Sequence, residues 1–133
     1  MFKNSIRLLV SAFLILLILQ FHGLAKGLYE KDVIGPVWTE SAGSEIVEYA
    51  FTKTKFTNKM QSMTIVFDIV KIDNVNQRII LFINKKYVPL WWEKTDADTL
   101  SVTQLENSLY SKTMAEAMKK AKPAAKSILT RKK

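Results

Sequence analysis

Hydrophobic and polar positions alternate most clearly between Glu45 and Trp92. Val47, Tyr49 and Phe51 are separated by polar or small residues, and Met63, Ile65, Phe67 and Ile69 alternate with Thr64, Val66, Asp68 and Val70. A period of two marks strands with one buried face. The run Arg78-Ile79-Ile80-Leu81-Phe82-Ile83 is apolar on both faces, as expected of a central strand covered on both sides. Tyr87-Val88-Pro89-Leu90-Trp91-Trp92 follows as a short strand, which Pro89 assigns to an edge. Turns are expected near Asn58-Lys59, at Asp73-Asn74-Val75-Asn76 and at Asn84-Lys85-Lys86, because Asn and Asp tolerate left-handed backbone and bond their own main chain. Residues 32–39 offer a further strand, interrupted at Gly35-Pro36.

Beyond the strands the period changes. Ser101 with Gln104, Thr103 with Glu106 and Thr113 with Glu116 each have capping-box spacing, and Leu105 and Leu109 share a helical face. Met114, Ala117, Met118, Ala121, Ala125, Ile128 and Leu129 lie close to one side of a helix that Pro123 ends or kinks at Lys122. The pattern predicts an α+β fold: a small antiparallel β-meander of three to five strands packed by one or two C-terminal helices.

The N-terminus has a different pattern. Lys3 and Arg7 precede the run Leu8 to Leu19, apolar except for Ser11, and Gly23 and Ala25 stand at the positions a signal peptidase reads. A core of twelve residues is short of the roughly 20 a spanning helix needs. Residues 1–25 are therefore expected to be a cleaved signal peptide, with a retained anchor as the competing expectation. The remainder divides into a single small domain, 26–111, and a basic amphipathic helix with a frayed tail, 112–133. The expected destination is the periplasm or the outside of a bacterial cell, since the chain has no Cys and no Asn-x-Ser/Thr site.

The 133 residues carry a formal charge of +8, but unevenly. Residues 26–111 hold ten basic and eleven acidic side chains, whereas residues 112–133 hold eight basic side chains against Glu116 alone. The cations Lys119, Lys120, Lys122, Lys126, Arg131, Lys132 and Lys133 form an expected contact surface for an anionic membrane or polymer. Nucleic acid is disfavoured because no aromatic side chain is interleaved among these lysines.

Candidate chemistry is sparse. The only His is His22, inside the signal, so the mature chain has neither imidazole nor thiol for nucleophilic catalysis or metal binding. A carboxylate pair remains as a route to hydrolysis, with no spacing that singles one out. Asp96-Ala97-Asp98 begins like a calcium loop, but Leu100, Ser101 and Asn107 occupy positions where a ligand, Gly and Glu are needed. No cofactor is expected. Trp91 and Trp92 are adjacent in an extended strand and must face opposite ways, which makes them, with Tyr87, the expected anchor for a partner. The alternative is that the chain folds back over the outward Trp. The sequence points to an exported, non-enzymatic binding or adaptor protein that contacts another envelope protein. The alternatives are a surface protein tethered by its cationic tail and a carboxylate-based hydrolase.

Overall fold

The computed structural model describes residues 27–133, so the signal-peptide expectation lies outside the described residues. Among those residues the chain forms β1 (Trp38–Ala42), β2 (Glu45–Phe51), β3 (Lys55–Lys59), β4 (Thr64–Asp73), β5 (Arg78–Ile83), β6 (Lys86–Asp96), β7 (Thr99–Gln104) and β8 (Ser127–Arg131). A one-turn helix, α1 (Leu28–Asp32), precedes them, and a 3-10 turn at Asn107–Leu109 and a second one-turn helix, α2 (Met114–Met118), lie between β7 and β8. Each strand pairs antiparallel with the next, and β8 returns to pair with β1, closing an eight-stranded barrel.

This overturns the expected α+β meander. The Ser101–Gln104 capping box is not a helix start, because Leu100 and Val102 instead alternate inward along β7. The Lys-rich C-terminus ends not in a helix and frayed tail but in the closing strand, with Leu129 fully buried. Only the Thr113–Glu116 box caps a helix, with the Thr113 hydroxyl accepting from the Glu116 N–H at 3.2 Å.

β6 is also not an edge strand, since it lies between β5 and β7. Pro89 is tolerated for a specific reason. Tyr87 exchanges both main-chain bonds with Ser111, so alternate residues of β6 direct their polar groups away from β5. The missing N–H of Pro89 therefore faces the side where the β7 ladder has already ended at Gln104.

Turn chemistry sets the register. Asn84 and Lys85 both have positive φ, at 51° and 61°, the requirement of a two-residue hairpin turn matching strand twist. The Asp73 carboxylate accepts from the Asn76 N–H and side chain and from Arg78, which ties the β4–β5 turn. The turn expected at Asn58-Lys59 lies instead at Met60–Met63, and Asn58 sits inside β3 opposite Tyr49 and Ile65.

The pairing registers send one apolar set inward: Trp38, Phe51, Phe56, Phe67, Leu81, Val88, Leu90, Trp92, Leu100 and Leu129 are all buried there. The other parity carries Glu48, Lys55, Lys59, Asp68 and Glu93 on the outer wall. That alternation is the reverse of a membrane-spanning barrel, whose apolar band faces out. On the outer face of β5 and β6, α2 covers Trp91 and Ile80 and buries Ala117 completely, so β5 is covered on both faces as its sequence suggests.

Candidate functional site: the open end of the barrel

The two ends of the barrel differ. At one end α1 lies across the opening. The Tyr29 hydroxyl donates to the Thr52 carbonyl at 2.8 Å, and its main-chain N–H donates to Asn74 Oδ1 at 2.9 Å. Trp38 Nε1 donates to the Val33 carbonyl at 3.0 Å. The Arg131 guanidinium sits 5.7 Å from the Trp38 ring centroid and bonds the Ala97 carbonyl at 2.9 Å. One face of that Trp is thus covered by a cation held from the β6–β7 turn. Aromatic rings continue inward from this plug. Tyr29 meets Phe51 edge-on at 6.5 Å, Phe51 stacks on Phe56 at 4.5 Å, and Phe56 contacts Phe67 at 5.5 Å. Every strand-connecting turn at this end is therefore tied to the plug or to its neighbour.

The opposite end is bounded by the two-residue turn at Gly43, the Met60–Met63 turn, the Asn84–Lys85 turn and the long connection from Leu105 to Lys126. Here the inward residues pack less completely: Tyr49 stacks on Phe56, but Tyr49, Ile65, Ile83 and Tyr110 are only half-buried. A cavity of about 410 Å³ opens among Ile65, Phe67, Ile83 and Tyr110, with Asn84, Lys86 and Asn107 at its edge. A second cavity, of about 240 Å³, is walled by Tyr49, Phe56, Leu90 and Val102, with Asn58, Gln104, Lys126 and Ser127 as its polar groups. Gln104 Nε2 donates to the Tyr110 hydroxyl at 2.8 Å and so joins the wall of one cavity to the wall of the other. Asn58 and Ile65, one in each wall, are direct register neighbours.

The second cavity reaches the barrel side because β8 starts late. Ser127 pairs with Val102, so Thr103 and Gln104 have no β8 partner, and β8 pairs with only the first two residues of β1. Ala125 and Lys126 occupy that gap.

Polar chemistry in the mouth is limited. Tyr49 donates to Glu40 Oε2 at 2.8 Å. Burial raises its hydroxyl pKa above the ordinary value, and the Glu40 bond and charge add to the shift. Burial likewise raises Tyr110, offset in part by the Gln104 bond. Asn58 Oδ1 is buried without a hydrogen-bond partner, an arrangement worth about 1–3 kcal/mol of destabilisation. Among the described residues no three His, Cys, Asp or Glu side chains converge as a metal site.

The residues singled out from sequence fall elsewhere. Trp92 is inside the barrel against Tyr29, at 5.3 Å, and is 1 % exposed; Trp91 is beneath α2 and 6 % exposed. Tyr87 is half-buried on the outer wall and packs on Phe82. Neither Trp is on the surface, and the chain folds back over the outward one.

The cations are dispersed. Arg131 holds the closed end, Lys132 pairs with Glu48 at 2.6 Å, Lys126 lines the mouth, and Lys119, Lys120, Lys122 and Lys133 are exposed. The Lys132 hydrogen bond holds the Glu48 carboxyl below its usual pKa despite partial desolvation.

Asn58, Gln104 and Tyr110 were not singled out. Asn58 resembles a turn former, and Gln104 resembles a helix cap. The available signal was parity: Phe56 and Asn58 alternate with Lys55, Thr57 and Lys59, as Leu100, Val102 and Gln104 do with Ser101 and Thr103. No protein-family model, no curated protein and no solved structure matches the chain.

Proposed function

We propose that the protein is an exported, non-enzymatic binding protein that takes a small, largely apolar molecule into the open end of its barrel. The observation that carries this reading is the contrast inside a single barrel. Ile65 and Ile83 stay half-buried beside a cavity of about 410 Å³, while the other end of the barrel is packed with the rings of Tyr29, Phe51 and Trp92. An eight-stranded interior is either filled by side chains or left to hold one small ligand, and this barrel does each at a different end. The larger cavity is mainly apolar with a few polar groups at its edge, the composition of small-molecule sites, and the smaller one beside it is lined more by polar than by apolar surface. The expectation of binding rather than catalysis is kept, and the contact moves from the Trp pair to the interior. Export remains supported by the Lys3 to Ala25 pattern.

Nile red, a neutral dye that brightens in apolar surroundings, tests the reading. Wild-type protein purified from cells expressing the full chain brightens it. Ile65→Trp and Val102→Trp, which fill the mouth, abolish the response while leaving the far-ultraviolet circular dichroism unchanged. A dye that stays dark with wild type, or one that binds filled variants equally, contradicts the proposal.

A further inference from the structure

The two cavities share an electrostatic property that apolar lining alone does not require. Each is bordered by one charged side chain, and in both it is a lysine: Lys86 for the larger, Lys126 for the smaller. No carboxylate lines either. Glu40, the acid bonded to a lining residue, is engaged by the Tyr49 hydroxyl. In the smaller cavity the remaining polar groups all include donors, namely the amides of Asn58 and Gln104 and the hydroxyl of Ser127. Asn58 is polar where a leucine would extend the apolar wall; its partnerless Oδ1 is a buried acceptor, so the group it can offer an anion is its amide N–H.

We propose that the ligand is an apolar carboxylate, an amphiphile with one anionic head, and that the head docks in the smaller cavity, accepting from the Lys126 ammonium and the Asn58 amide N–H. This assignment rests on the small-molecule reading and names the chemical class that the same site selects. The gap left by the late start of β8 places Lys126 and Ser127 beside apolar Leu90 and Val102. A carboxylate there gains a charge-assisted bond, while its hydrocarbon body extends along Phe56 toward Ile65 and the larger cavity. Lys86 lines the larger cavity and not the smaller, so it meets the body and not the head.

Isothermal titration with dodecanoate and with dodecanol separates head from body. Wild-type protein purified from the full chain binds dodecanoate about tenfold more tightly than dodecanol, the order expected of one charge-assisted hydrogen bond. Lys126→Met removes that preference and leaves dodecanol binding unchanged; Lys126→Arg retains the preference, and Lys86→Met retains it too. Equal affinity of wild type for the two probes overturns the head-group assignment, as does a preference that survives Lys126→Met or vanishes in Lys86→Met. If neither probe gives heat and Nile red also stays dark, the small-molecule reading itself falls.

Discussion

The closed and open ends of this barrel are built from the same eight strands but obey different packing rules. At the closed end Tyr29, Phe51, Trp92 and Trp38 fill the interior, and hydrogen bonds from Tyr29, Trp38 and Arg131 fasten α1 and the turns together. At the open end Ile65, Ile83 and Val102 face cavities, and one amide oxygen, Asn58 Oδ1, is buried without a partner. Stability is concentrated at one end so that the other can stay hollow. A site with unsatisfied groups requires a rigid scaffold elsewhere.

The strongest way to break that contrast is to hollow out the packed end. Phe51→Ala removes a ring that contacts Tyr29 and Phe56 and is expected to cost about 3–5 kcal/mol, measured by urea denaturation. A loss below about 1 kcal/mol would mean that the aromatic column is not the scaffold. The matching change at the open end has the opposite sign. Asn58→Leu removes an unsatisfied amide and is expected to stabilise by about 1–2 kcal/mol, while weakening dodecanoate in titration. Destabilisation would show that Asn58 supports the fold.

Arg131→Met tests the cover over Trp38. It removes the contact with that ring and the bond to the Ala97 carbonyl, and about 1 kcal/mol is expected to be lost in the same assay. The Asp98 ion pair is too exposed to add measurably.

Titrations sharpen the comparison further. Burial raises the pKa of Tyr29 at the closed end and of Tyr49 and Tyr110 at the open end above the ordinary tyrosine value. Their contribution is complete below about pH 10 and declines as pH rises above it, because only the unfolded chain ionises there. Tyr29→Phe and Tyr49→Phe each flatten that alkaline decline. The smallest effect is on the acid side. Burial pushes the Asp73 carboxyl up, but hydrogen bonds from Asn76 and Arg78 outweigh it and hold the pKa below the usual value. Its stabilisation is present above about pH 4 and is lost as pH falls below that, a slope that Asp73→Asn removes.

What the chain displays locally, it displays well. The parity of Val47, Tyr49 and Phe51, the doubly apolar run of β5, and the turn chemistry of Asp73–Asn76 and Asn84–Lys85 all appear in the fold. The elements misread are those with weak local signals. In β3 the only apolar residue is Phe56, and in β8 the inward anchor is Leu129, set among lysines that look like a solvated tail. Barrel closure is nonlocal, since the partners Trp38 and Arg131 are far apart in sequence, and no period in either segment announces their pairing. Mistaking β7 for a helix start hid Gln104, and mistaking β3 for a turn hid Asn58. The mouth was thus illegible for the same reason as the barrel: its residues share a face only once the strands are closed.

The division of the barrel into packed and receptive ends is tested most directly by methyl nuclear magnetic resonance of the Ile, Leu and Val residues during titration with dodecanoate. The account predicts saturable shifts at Ile65, Ile83, Leu90 and Val102, with Val33 and Leu129 at the packed end unmoved. Shifts centred on Val33 and Leu129, or confined to outward Ile46 and Ile128, would contradict it.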